Sequence, residues 1–322
     1  MEKILLYNPA ISTMNTGDEV IGESAKEYIS ILFPHSFRVE VSTHLPVSFR
    51  YMHMLRDIEM RFVCGTNLLK GDMLLGFRQW DISLFKAPVL GKSVLLGCGW
   101  WQYQKKVDLY SKILLHSVLS KEYLHSVRDE YTRMKLEECG IRNVINTGCP
   151  TMWKFTKEFC KKIPEKKATN VVTTLTDYMP DSIQDNKLID ILTKKYDTVY
   201  LWLQGINDYS YYTSIMKDSW NNIVIVEPGL ANYDRILSEN TDIEYIGTRL
   251  HAGIRALQHT KRAMIIAVDN RAIEKKKDFN LPVIARKDQE AIEDYIGGTY
   301  ETNITIPEEN IQRFLQQFIK SH

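Results

Sequence analysis

The sequence lacks the features that mark secreted, membrane-spanning and nucleic-acid-binding proteins. Its five cysteines are an odd number among 322 residues and no two have C-x-x-C spacing, which argues against a disulfide framework or a zinc site. No apolar run approaches the roughly 20 residues that a transmembrane helix needs. The 41 basic and 40 acidic side chains leave a net charge of +1, so no overall field attracts nucleic acid. We expect a reducing, cytoplasmic location.

What is present is typical of a globular protein with two domains. Hydrophobic residues make up 44% of the chain and charged residues 25%, both ordinary proportions. The length suits two domains of about 150 residues each. The first apolar run, Ile4–Tyr7, is too short for a signal peptide and ends at Asn8-Pro9.

Short apolar segments alternate with amphipathic ones along the chain, a pattern that predicts helices between the strands of parallel sheets. Strands are expected at residues 3–7, 61–64, 93–97, 123–127, 143–147, 171–175, 198–203, 223–226, 243–246 and 263–268. The charged, proline-containing segment 161–167 reads as a linker. We therefore predict two Rossmann-like, doubly wound α/β domains, 1–163 and 164–322. The final helix, 307–320, is expected to pack back on the N-terminal domain.

Doubly wound domains bind ligands outside the carboxyl ends of their strands, and two that face each other enclose a central cleft. Residues that bind a ligand or react with it are therefore expected at strand-to-helix corners. Neither a G-x-G-x-x-G nor a Walker sequence occurs at any of them.

The first corner is Asn15-Thr16-Gly17-Asp18, between the first strand and the first helix. Asp18 would repel an anion at the helix start, so we expect it to accept a hydrogen bond from a sugar hydroxyl or take its proton. The alternative is that Asp18 only caps the helix.

Two tryptophans, Trp100 and Trp101, follow the strand at 93–97. Their rings could stack on a sugar, and together with Asn15 and Asp18 they form the predicted sugar-binding set. The alternative is that at least one of the two rings belongs to the core.

The corner Ser126-Val127-Arg128-Asp129 ends a strand, with Ser126 as the expected helix cap. The Arg128 guanidinium could bind a carboxylate or phosphate through two parallel hydrogen bonds. A structural ion pair with a neighbouring acid is the alternative.

Arg249-Leu250-His251 is the most informative corner, because it lies between an apolar strand and an apolar helix. A guanidinium and an imidazole would converge there with the N–H groups of the helix start. This combination suits an anion whose leaving group needs a proton.

Taken together and in order, these corners resemble the polysaccharide pyruvyltransferase family over nearly the whole chain. The resemblance rests on Asn15–Asp18, Ser126–Asp129, Thr147–Pro150 and Arg249–His251. It implies a GT-B-like fold, phosphoenolpyruvate as donor, and a sugar of a polysaccharide or lipid-linked precursor as acceptor. It also assigns Arg128, Arg249, Leu250 and His251 to the donor.

The hypothesis that follows is a ketal transfer in which His251 moves a proton and Asp18 activates a sugar hydroxyl. Neither a redox cofactor nor a metal is expected, and nucleic acid is not an expected partner. Contact with the inner face of the membrane stays open, because many glycan intermediates are lipid-linked. One alternative is a sugar-nucleotide glycosyltransferase of the same fold, in which Glu227 would bind the ribose of the nucleotide. The other is a non-catalytic glycan-binding protein that uses Trp100 and Trp101.

Overall fold

A computed structural model describes residues 1–74 and 78–319 and shows an α/β protein. Its first half contains β1 Lys3–Asn8, α1 Gly17–Leu32, β2 Phe37–Ser42, α2 Phe49–Met54, β3 Met60–Cys64, α3 Ala87–Leu90, β4 Val94–Leu96, α4 Leu109–Val118, β5 His125–Val127, α5 Glu130–Glu138 and β6 Val144–Asn146, followed by a 3-10 turn at Pro150–Met152. Its second half contains α6 Lys157–Cys160, β7 Asn170–Thr173, α7 Ser182–Lys195, β8 Thr198–Trp202, α8 Asp208–Ile215, β9 Ile223–Val226, α9 Leu230–Glu239, β10 Ile243–Gly247, α10 Leu250–Gln258, β11 Ala263–Ala267, α11 Asn270–Phe279, β12 Val283–Ala285, α12 Gln289–Gly297 and α13 Glu308–Gln316.

The chain divides into two compact units. The first unit contains Met1–Thr13, Ile21–Trp153 and the segment that begins at Ile306, and the second contains Met14–Val20 and Lys154–Thr305. This division differs from a single boundary at residues 163 and 164 because some backbone groups pair with distant parts of the chain. Thr16, for example, donates its N–H to the carbonyl of Gln204 at 2.9 Å.

The first unit is built on parallel strands in the order β2-β1-β3-β4, with β5 and β6 as a second parallel pair. The pair adjoins β4, since the Gly97 N–H donates to Ser126 O and the Arg128 N–H donates to Cys98 O, both at 3.0 Å. The loops after β3, β4 and β5 therefore lie along one edge of the unit.

Successive side chains of β1 point to opposite faces of this sheet, and those on both faces are buried. Leu5 and Tyr7 belong to one buried cluster, and Ile4 and Leu6 belong to another. This is the period of two that a strand buried on both sides requires. Helix α13 closes the second cluster with Phe314.

The second unit has one parallel six-stranded sheet in the order β12-β11-β10-β7-β8-β9. Counted from β7, this is the strand order of the Rossmann fold, in which the order of successive strands reverses between β7 and β10 while all strands stay parallel. Ligands of such sheets bind at this switch point, beyond the carboxyl ends of the two central strands.

All ten predicted strands are present, each with its limits within two residues of the expected ones. Strands β2 and β12 were not predicted. A run of three lysines, Lys275–Lys277, is typical of a solvated helix face, but the side chain of Lys275 is fully buried on α11.

The predicted final helix is observed as α13, one residue later than expected, with Pro307 at its N-cap. Lys320, the last residue of that prediction, lies outside the described residues. In the parts of the chain that the structure describes, no helix is long and apolar enough to span a bilayer.

Candidate active site

Arg249 lies at the switch point of the second unit, as the N-cap residue of α10 directly after β10. Its backbone N–H donates to the Thr174 hydroxyl at 3.1 Å, and the neighbouring Thr248 N–H donates to Thr174 O at 3.0 Å. These bonds tie the corner after β10 to the end of β7. The two central strands of the sheet therefore present one continuous polar edge.

The Arg249 side chain is held on three sides. Its Nε donates to Leu175 O at 2.9 Å, and its Nη2 donates to Asp177 Oδ1 at 2.8 Å and to Asp208. Only 3% of the residue is exposed. A guanidinium fixed by charged and neutral acceptors has one orientation, which is what selective binding of a planar anion requires.

Asp208 organises the other side of this edge. Its second oxygen accepts the N–H groups of Gln204 at 3.0 Å and Gly205 at 2.7 Å. Burial raises the pKa of the Asp208 carboxyl, while Arg249 and the Gly205 N–H act against this rise. The ionised carboxylate therefore depends on its arginine partner.

Leu250 and His251 are the first two residues of α10, and both are buried. The N-cap side chain does not cap this helix, because a guanidinium has no hydrogen-bond acceptor for the backbone N–H groups. Free N–H groups in a first helical turn favour negative charge. Arg249, His251 and a helix N-terminus therefore lie at one corner, and the convergence of their groups on an anion stays a prediction.

The Asn15–Asp18 corner also belongs to the second unit and packs on the turn after β8. Asn15 forms an antiparallel bridge with Gly205, and Nε2 of Gln204 donates to Asn15 Oδ1 at 2.6 Å. Gly205 in turn lies against the Arg249 guanidinium. Two corners separated by more than 200 residues in sequence therefore meet within one unit.

Asp18 is buried in the first turn of α1. Because α1 begins at Gly17, Asp18 is its second residue and not the N-cap that the alternative predicted. Oδ1 of Asn15 accepts the Gly17 N–H at 3.2 Å, and Asn15 O accepts the Asp18 N–H at 2.9 Å. The corner is therefore closed by Asn15.

Arg128 occupies the corresponding edge of the first unit, after β5, and is 2% exposed. Its Nε donates to Asp129 Oδ2 at 3.1 Å, and its Nη2 donates to Asn67. Asp129 caps α5 by accepting the Thr132 N–H at 2.8 Å. The expected cap, Ser126, instead bonds to the Thr147 hydroxyl at 2.6 Å, so that expectation is wrong.

The two tryptophans have different environments. Trp100 lies in the core of the first unit, 1% exposed, and its Nε1 donates to Gln104 at 2.9 Å. A buried ring cannot stack on a sugar, so the structure does not support Trp100 as an acceptor residue. Trp101 is partly exposed and has the Lys70 ammonium 5.2 Å from its ring centre.

Three residues of this edge were not identified from the sequence: Asp177, Gln204 and Asp208. Each follows a strand, β7 or β8, and so has the same signal that identified Arg249. Within residues 1–74 and 78–319, no His, Cys, Asp and Glu side chains are grouped as a metal ion requires. The expectation of metal-free chemistry stays a prediction.

The sequence profile of one family, described as polysaccharide pyruvyl transferase, matches residues 15–270, from the Asn15 corner to the start of α11. The chain belongs to the polysaccharide pyruvyl transferase family. This membership makes it a transferase and confirms the family identified from the sequence corners. No curated protein sequence matches it significantly.

Solved structures give the fold. A UDP-GlcNAc 2-epimerase from Neisseria meningitidis, bound to UDP-GlcNAc, is similar with a TM-score of 0.52 and 14% identity, over 98% of this chain and 100% of that one. The E. coli heptosyltransferase WaaC with ADP-2-deoxy-2-fluoro heptose has a TM-score of 0.46 at 11% identity, over 92% and 99%. The lipopolysaccharide outer core galactosyltransferase WaaB in its apo form has 0.46 at 9%, over 100% and 96%. The likeness to the epimerase, together with the parallel sheets of the two units, confirms the GT-B-like fold with two Rossmann-like units.

Proposed function

We propose that the protein transfers the pyruvyl group of phosphoenolpyruvate to two hydroxyls of a sugar in a polysaccharide or lipid-linked precursor, forming a ketal and releasing phosphate. The observation that carries the proposal is the corner at the switch point of the second unit. Arg249, His251 and the start of α10 lie together there, in a member of the polysaccharide pyruvyl transferase family. An anionic donor with a phosphate leaving group matches this set of groups.

The reaction balances without an oxidant. One sugar hydroxyl adds through oxygen to C2 of the enol phosphate, and C3 gains a proton and becomes a methyl group. The C2–O bond to phosphate breaks, and the oxygen of the second hydroxyl bonds to C2 as it loses its proton. His251 protonates the departing phosphate or relays a proton to C3, and Asp18 accepts the proton of a hydroxyl.

Arg249 binds the donor anion in this proposal. Of its two carboxylate partners, Asp177 has 12% of its side chain exposed and Asp208 has 2%. We expect the donor to take the place of Asp177 on the guanidinium while Asp208 keeps its contact. We also propose that Arg128 binds the donor and that Trp101 binds the acceptor.

The first test is direct. The protein is incubated with phosphoenolpyruvate and a panel of nitrophenyl and lipid-linked sugars, while phosphate release is followed and products are weighed by mass spectrometry. We expect phosphate release that depends on a sugar and a product heavier by one pyruvate less one water. Turnover of sugar nucleotides in place of phosphoenolpyruvate, or sugar binding with no turnover of either donor, would overturn the proposal.

Two variants separate donor binding from proton transfer. Arg249→Lys keeps the charge but loses the planar fork, so we expect the donor dissociation constant to rise roughly ten- to a hundredfold. His251→Gln cannot carry a proton near neutral pH and should mainly lower the turnover number. Arg262→Lys is the matched control, because Arg262 is an equally buried arginine at the amino ends of β10 and β11. Wild-type turnover in folded His251→Gln would remove the proton-transfer role.

A further inference from the structure

Gln204 follows β8 on the same edge of the second sheet as Arg249, and it is buried. Its backbone is fixed from both sides, because its N–H donates to Asp208 and its carbonyl accepts the Thr16 N–H at 2.9 Å. A residue held in this way places its side chain in a defined position relative to both the Asn15 corner and the Arg249 corner.

The contacts of Asn15 determine which way the Gln204 amide faces. Oδ1 of Asn15 accepts the Gly17 backbone N–H, so Asn15 presents an oxygen, and Gln204 must present its Nε2–H group to it. The 2.6 Å bond between Nε2 and Oδ1 leaves Oε1 of Gln204 on the other side of the amide. Neither side chain can be turned over without losing one of these bonds.

Oε1 of Gln204 is the feature that these contacts leave unexplained. The atom is buried, and it has no hydrogen-bond partner among the described residues. Buried amide oxygens are normally paired, and an unpaired one costs free energy unless a ligand or a water satisfies it. This unpaired acceptor lies beside Asn15, at the edge where a Rossmann sheet binds its ligand. A ligand with a hydroxyl or N–H group would satisfy it.

We propose that Gln204 binds the acceptor sugar, with Oε1 accepting a hydrogen bond from a sugar hydroxyl, Asn15 orienting the side-chain amide and Asp208 holding the backbone. This inference rests on the proposed function for the identity of the acceptor. Asp208 bonds both to the Gln204 backbone and to Arg249. Asp208 therefore connects Gln204, which binds the acceptor hydroxyl in this proposal, to Arg249, which binds the donor.

The test uses Gln204→Met, which keeps the length of the side chain and removes its hydrogen bonding. We expect the acceptor KM to rise roughly five- to tenfold while the donor dissociation constant stays within twofold. A set of monodeoxy acceptors then identifies the hydroxyl. The wild type should discriminate against one of these analogues, and the variant should treat that analogue and the parent sugar alike.

Gln289→Met is the matched control, because Oε1 of Gln289 is also buried without a partner among the described residues but belongs to the start of α12. It should leave both constants unchanged. The inference is overturned if Gln204→Met keeps the wild-type preference for every hydroxyl of the acceptor, or if donor affinity falls as much as acceptor affinity. Either result would give Gln204 a structural role only.

If the wild type releases no phosphate from phosphoenolpyruvate, the proposed function is refuted, but the role of Gln204 in sugar binding can still be tested. The same sugars are then titrated directly by calorimetry. Sugar binding that weakens in Gln204→Met, but not in Gln289→Met, supports the hydroxyl-binding role under a different reaction. Equal binding by both variants, or no sugar binding by the wild type, overturns it.

Discussion

Arg249 is the residue on which the contacts of the second unit converge, and its two acids differ in kind. Asp208 is buried and also binds two backbone N–H groups, so it supports the local fold. Asp177 is more exposed and accepts the N–H of Tyr178 at 2.8 Å. The same guanidinium therefore has one permanent partner and one that an incoming anion can displace.

Replacing Asp177 tests this difference. Asp177→Asn keeps an oxygen for the neighbouring backbone N–H group and removes a negative charge beside the proposed donor site. We expect donor affinity to rise, by about three- to tenfold, because like charges at this separation repel appreciably near a protein surface. Donor titration of the variant measures the effect at low and high salt. Weaker donor binding in a folded variant would place Asp177 in the donor site itself.

Gly205 offers a second test that leaves every charge in place. A Cβ atom there would overlap Nη2 of Arg249 and lie 3.0 Å from Oδ1 of Asp208. Gly205→Ala should displace the guanidinium and raise the donor dissociation constant roughly tenfold or more, since a charge-assisted hydrogen bond contributes about 1.5–3 kcal/mol. Gly297→Ala is the control, because no described atom lies within 4 Å of the added carbon. Equal donor affinity in the two variants would contradict the proposed role of Arg249.

At the scale of elements, strand β5 depends on a neutral histidine. Nδ1 of His125 accepts the Leu95 N–H at 3.2 Å, and its Nε2–H donates to Ser120 O at 2.9 Å. In a protonated ring, Nδ1 would carry a hydrogen and face the Leu95 N–H, so the bond to Leu95 would be lost. Burial lowers the pKa of His125 to about 4, and the bond to Ser120 only partly offsets this. The ring therefore joins β5 to β4 in one protonation state.

This contact predicts a loss of stability in mild acid. Because the unfolded histidine titrates near 6.5 and the folded one near 4, the unfolded chain binds more protons between these values, and stability falls as pH drops through this range. Between pH 7 and pH 5 the contribution is roughly 2 kcal/mol. Urea unfolding at both pH values should show this loss in the wild type and a smaller one in His125→Gln. The exposed His35→Gln serves as the control, and equal losses in all three proteins would refute the prediction.

At the scale of the whole molecule, the last helix completes the core of the first unit. Phe314 is fully buried with Ile4 and Leu6 of β1, and its ring lies 6.2 Å from that of Trp153. Gln317 adds a hydrogen bond from the Leu124 N–H at 2.7 Å. The first unit therefore needs residues from both ends of the chain.

Removing the Phe314 ring should destabilise the first unit by about 3–5 kcal/mol, the usual cost of a buried Phe→Ala change. Ile319→Ala, at a residue 64% exposed, should change stability by less than about 0.5 kcal/mol. Chemical denaturation followed by tryptophan fluorescence measures both. Similar stabilities for the two variants would show that α13 contributes little to the core.

The sequence by itself determined the strands, the corners and the family. Short apolar runs ending at polar corners predict buried parallel strands, and the residues at those corners resemble the family motifs because both are local in the chain. Strand β2 was not predicted, although Phe37, Val39 and Val41 alternate with polar residues as in a partly buried strand, because the prediction of strands rests on continuous apolar runs. The burial of Lys275 could not be predicted from the sequence either, because it depends on what packs against α11.

Only the tertiary structure decided which groups are partners. Asp208 and Arg249 are 41 residues apart in sequence, and Gln204 and Asn15 are 189 apart. No periodicity encodes such pairs, because each depends on the strand order that brings the ends of β8, β7 and β10 together. The same packing buried Trp100 and left Trp101 partly exposed. The local sequence specifies which chemical groups stand at the strand ends, and the fold specifies which of them meet.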